Sequence, residues 1–187
     1  MKNIFNILIF LFILSFNAQN TMEDKLPYYE IPEPAESYTA GSVASRMVDG
    51  LGFRYYWATE DLRPEDLSYK ASETGRTSDE TIDHLFGLSN FILNSISESA
   101  ERSDETKYIT FEQKRKQTLL NFKAASDILK KTDDISKYDN ERFPFWNIIN
   151  GPISDALWHC GQVVLLRRAS GNPFNSKVSV FSGKVME

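Results

Sequence analysis

Apolar residues return at steps of three and four in every long segment of this chain, and that periodicity confines the fold to packed amphipathic helices. From Ala40 to Leu62 the stripe is Ala44, Val48, Leu51, Tyr55, Ala58 and Leu62, widened by Val43, Met47 and Trp57. Gly50 and Gly52 interrupt it, each lowering helix propensity by ~1 kcal/mol relative to alanine, so packing has to compensate. A second segment opens on Thr77 and Glu80, a T-x-x-E capping box, and runs to about Glu98. Its face is Ile82, Leu85, Ile92 and Ile96, with Leu88 and Phe91 beside it. Thr110 and Gln113 repeat the start signal ahead of Leu119, Leu120, Phe122, Ala125, Ile128 and Leu129. A fourth segment is expected after Gly151, with Pro152 at the first helical position, and ends before Gly171-Asn172-Pro173. Arg167 and Arg168 fall in its last turn, where cations suit the helix dipole. Connections longer than tight hairpins predict an all-α fold, a four-helix bundle with a crossover connection.

The ends of the chain read differently. The opening MKNIFNILIFLFILSFNAQN sets Lys2 before an apolar run from Ile4 to Phe16, shorter than the ~20 residues a spanning helix needs. It is expected to be a signal peptide over residues 1–19, cut near Ala18 or Gln19, although the large Phe16 suits the cut poorly; the alternative is an uncleaved membrane anchor. The mature chain is then periplasmic or extracellular, with no stable membrane span. Residues 20–37 contain Pro27, Pro32 and Pro34 and read as an extended lead-in to one domain over 38–187. Weak alternation at Val178 and Val180 suggests a C-terminal tail laid over the bundle. Cys160 is the single cysteine, so no internal disulfide forms.

Charge excludes one class of partner. With 21 basic and 26 acidic residues the surface repels phosphate, and no basic stripe carries interleaved aromatics, so nucleic acid is not expected. Lys114, Arg115 and Lys116 read as a solvated helix face.

The chemistry rests on the only two histidines, each within an amphipathic segment. Asp155 and His159, four residues apart, project from one face a turn apart, and Gln162 and Leu166 share that seam. His84 lies at the margin of the apolar arc of the second segment, aligned with Leu88 and Phe91, so it can point inward from another helix. Two imidazoles and a carboxylate supply three ligands for a divalent ion, zinc or nickel, and leave positions open for water or substrate. Each residue also has a plainer reading. A helical histidine can be a hydrogen-bonded core residue, and Asp155 can complement the dipole near a helix start. Cys160 reads as a small buried hydrophobe, and Trp146 and Trp158 as core.

The segments TIDHLFGLSNF, Thr81 to Phe91, and DALWHCGQV, Asp155 to Val163, resemble the two metal-bearing motifs of the DinB-like superfamily, related to thiol-dependent transferases. In that family one histidine on the second helix and an H-x-x-x-H pair on the fourth, commonly followed by Gly-Gln, bind a divalent ion inside a bundle with crossed connections. His84 matches the first position and His159 the last, and Gly161 and Gln162 match the trailing pair. Asp155 stands where the family usually has histidine. The resemblance spans roughly residues 40 to 170 and implies a metal-dependent hydrolase or group transferase acting on a small molecule, with Gln162 positioning the incoming group. A homodimer is compatible with it. The alternative is a non-catalytic bundle that binds a small molecule or keeps a metal for stability. An open coordination site lined by a pocket favours the enzyme, and a closed, dry cluster favours the binder.

Overall fold

The computed structural model describes residues 25–97 and 110–187, so the leader expected over 1–19 lies outside the described residues. What is described is mostly helical: α1 (Ala40–Thr59), the single turn α2 (Pro64–Leu67), α3 (Ser78–Ile96), α4 (Phe111–Lys130), the short turn α5 (Trp146–Ile148) and α6 (Ser154–Ala169). The little strand present is a hairpin of β1 (Val178–Ser179) and β2 (Lys184–Val185). Among the described residues no helix is long and apolar enough to cross a membrane.

Helix starts follow local chemistry. The Thr77 hydroxyl accepts from the Glu80 N–H at 3.1 Å while the Glu80 carboxylate accepts from the Thr77 N–H at 2.8 Å, closing the box reciprocally. Thr110 and Gln113 close the same box on α4. Thr39 and Ser42 do so on α1, with serine in place of the longer acid or amide.

The fourth segment departs from expectation. It begins at Trp146 rather than after Gly151, because a π-helical turn over Ile149–Ile153 joins α5 to α6. Pro152 lies inside this turn, not at a helix start. The wider ring lets the Ser154 N–H and hydroxyl both reach the Ile149 carbonyl, the hydroxyl at 2.7 Å, and relieves the ladder where proline has no N–H to give.

Four long helices enclose the core in a ring of contacts: α1 against α4, α4 against α3, α3 against α6, and α6 against α1. Leu51, Phe53 and Tyr55 of α1, Ile82, Leu85 and Ile92 of α3, Leu119, Phe122 and Leu129 of α4, and Ala156, Cys160 and Val163 of α6 are buried there. Several polar groups that enter are paired: Ser45 meets Ser126 across α1 and α4, and Asn121 bonds Ser89 and Asn90 across α4 and α3. Lys114 and Arg115 correct the solvated-face reading. Lys114 is buried and donates to both Asp79 and Asp83, while Arg115 bonds Thr59 and Glu60 and lies over the Tyr56 ring. Lys116 alone of the three is exposed.

Residues 25–37 hold no helix or strand, yet they pack. Tyr28 is buried, its hydroxyl donates to Asp49, and its ring lies so close to α1 that a Cβ on Gly52 would come within 2.5 Å of it. That close approach is the compensation Gly52 required. Trp57 donates to the Tyr29 carbonyl, and the Ile31 N–H to the Gly183 carbonyl of the hairpin loop, so the packed unit reaches back past Tyr38 and takes in the C-terminal tail.

Arg167 and Asp66 fasten the end of α6. Arg167, the largest fully buried side chain, donates to the carbonyls of Trp57, Ala58 and Asn172, so it serves the C-terminus of α1 as well as its own helix end. Asp66 accepts from Arg63, Ser170 and Asn172, and the Arg63 guanidinium above all holds its carboxyl well below the usual carboxylate range.

Candidate metal centre

The packing of α3 against α6 brings His84, in the second turn of α3, to Asp155 and His159, on the first two turns of α6. The His84 Nε2 lies 3.0 Å from one Asp155 oxygen, and the His159 Nε2 lies 3.4 Å from the other. The two imidazoles stand edge to face, ring centroids 4.5 Å apart at 86°. One donor atom from each residue falls within 4.8 Å of the others. A tetrahedral ion with bonds of ~2.0–2.1 Å needs its donors about 3.3–3.5 Å apart, so this cluster needs only small rotamer adjustments to take one.

The donor set suits such an ion. The Gln162 amide oxygen lies 2.9 Å from His159 Nδ1; in the tautomer with the proton on Nδ1 it accepts there, and the Nε2 lone pair faces the cluster. Gln162 therefore braces the His159 imidazole from the same helix. Gln162→Leu should weaken zinc binding by ~10–100-fold without changing helix content, as loss of an outer partner does. Calorimetric zinc titration beside far-UV circular dichroism checks both.

Asp155 is not at a free helix end, because the π turn runs into α6 without a break. Its carboxylate is directed at the imidazoles rather than at backbone N–H groups. Cys160 is buried, and burial pushes its thiol up to about 12, so it stays protonated and plays the small hydrophobe expected of it. Tyr55, Ser78 and Thr118 carry buried hydroxyls without a hydrogen-bond partner, but none lies among the three donors.

No family model, curated protein or solved structure matches the chain. What the site can do follows from its geometry. His84 and Asp155 remain 36% and 39% exposed, and His159 only 14%, so the centre is open on one side. That side is a groove of about 730 Å³ whose walls include Leu88, Phe91, Gly151, Pro152 and Trp158. A smaller hollow behind it reaches His159 and Gln162 past Arg76 and Thr81.

Trp158 and Trp146 are corrections. Both were expected in the core, yet they are 74% and 66% exposed, while their neighbours Phe145 and Ile148 are buried. Trp158 follows Asp155 by three residues and Gly87 follows His84 by three, so each shares a helix face with a proposed ligand. That spacing was the available signal for the groove, and hydrophobicity alone pointed the other way.

Proposed function

We propose that this chain is an exported, metal-dependent enzyme of the DinB-like type, a hydrolase or group transferase acting on a small molecule through a divalent ion, zinc or nickel, held by His84, Asp155 and His159. The observation that carries the reading is a groove lined by His84 and Asp155, two of three convergent donors. An ion kept only for stability is commonly closed off by four protein ligands, whereas a reactive one keeps a position open. The ring of helix contacts, in which α1 meets α4 and α6 while α3 meets the same two, supports the four-helix bundle with a crossover connection that the family resemblance implies.

A bound divalent ion would supply Lewis acidity, lowering the pKa of a water or thiol delivered to it. The chain's own residues do the rest. His84 and Asp155 present donors from the open side, His159 is held by Gln162 from the protein side, and the walls beside Trp158 and Phe91 bring the substrate over the donors. Elemental analysis of protein purified without a metal-binding tag tests the proposal. One divalent ion per chain is expected, and a chain still metal-free after equilibration with zinc and with nickel would overturn it.

A further inference from the structure

The groove is more selective than its opening suggests. Among the described residues its walls carry no ionisable side chain apart from His84 and Asp155, and the polar groups there are the neutral Asn150 and Ser154. A charged substrate body would leave water for this surface without a partner. Trp158 stands 74% exposed on one wall and Phe91 47% exposed on the other, with Phe143 backing Phe91 at 5.9 Å between ring centroids. Large aromatic faces left in water beside a cluster of metal-ligand type are the usual lining of a small-molecule site.

The glycines point the same way. Gly87 lies in the interior of α3, where glycine costs stability relative to alanine, and a Cβ there would meet nothing within 4 Å. Gly151, on the π turn across the groove, is equally free of contacts. Packing requires neither glycine, unlike Gly52, but both keep the space over His84 and Asp155 clear.

We infer that the groove takes an uncharged small molecule bearing an aromatic ring, the ring held between Trp158 and Phe91 and a nitrogen, oxygen or sulfur donor directed at the His84, Asp155 and His159 centre. The inference rests on the metal reading for the donor and on the groove itself for the ring. A volume of about 730 Å³ is ample for one or two fused rings with a short substituent.

The probes are 4-phenylimidazole and imidazole on the zinc-loaded protein, which share a donor and differ by a ring, in wild type, Gly87→Leu and Trp158→Ala. Zinc affinity is read separately by calorimetry. The wild type should bind 4-phenylimidazole at least about tenfold more tightly than imidazole. Gly87→Leu, which fills open space on a helix that leucine favours, should erase that difference while leaving zinc affinity unchanged, and Trp158→Ala should reduce it. Equal affinities in the wild type, or a preference retained in both variants, would overturn the inference. Should zinc fail to bind, the metal reading falls and the groove is read in the metal-free protein with the neutral fluorophore N-phenyl-1-naphthylamine. Fluorescence enhancement lost in both variants upholds the aromatic site, and enhancement that is absent, or unchanged by the variants, overturns it.

Discussion

Arg167→Ala should lower the stability of the protein by about 3–5 kcal/mol, a large share of what a chain of this size has to lose. Arg167 is buried and gives its hydrogens to the carbonyls of Trp57, Ala58 and Asn172. Removing it leaves the last carbonyls of α1 unpaired away from water, at about 1–3 kcal/mol each, and opens a cavity where its aliphatic stem packed. The melting temperature should fall by roughly 10 °C, at about 2–4 °C per kcal/mol for a domain of this length. Arg167→Met restores most of the volume and none of the hydrogen bonds, so it should recover only the cavity part. Arg167→Lys should also fall short, since one ammonium cannot reach carbonyls that a guanidinium fork spans. Thermal unfolding followed by far-UV circular dichroism measures all three. An alanine variant within about 0.5 kcal/mol of wild type would mean that α6 is fastened elsewhere.

The second large effect is on metal binding. Replacing His84, Asp155 or His159 with alanine should each weaken zinc affinity by more than the ~10–100-fold that loss of an outer partner costs, because each removes one of three protein ligands. Asp155→His should retain zinc. Imidazole and carboxylate are both competent ligands for it, and the substitution restores the residue that the resembled family carries at that position. Calorimetric titration of the five proteins checks this. If the three alanine variants bind zinc as the wild type does, the ion is held by other residues.

The helix starts were legible because a capping box is local: Thr77 with Glu80 and Thr110 with Gln113 lie within one turn, and both close as read. The beginning of α6 was not. A Gly-Pro pair usually marks a helix start, but here Ile148 and Phe145 bury themselves upstream and the backbone widens into a π turn rather than stop. Lys114 and Arg115 misled for another reason. Their acidic partners, Asp79 and Asp83 on α3 and Glu60 just past the end of α1, are distant in sequence, so a run of like charges gave no sign of its neutralisation in space.

The candidate site divides in the same way. Asp155 and His159 share a face by their spacing of four, which any helix enforces. Their meeting with His84, 71 residues from Asp155, depends on how α3 packs on α6, which residue spacing does not contain. The groove had only the spacing of Trp158 and Gly87 from the proposed ligands to announce it, because Trp158 and Phe91 are equally apolar whether they face other side chains or an open cleft. The lead-in packs more than its prolines suggested: Tyr28 lies against Gly52 and the Ile31 N–H meets the Gly183 carbonyl of a tail that was expected to lie over the bundle.

Anomalous diffraction at the zinc edge, from crystals of the full mature chain grown with zinc, tests the metal centre most directly. A single dominant peak is predicted, ~2 Å from the Nε2 atoms of His84 and His159 and from an Asp155 carboxylate oxygen, with a coordination position open to the groove beside Trp158. Dominant density elsewhere, with His84 still hydrogen-bonded to Asp155 and no peak among the three side chains, would contradict it.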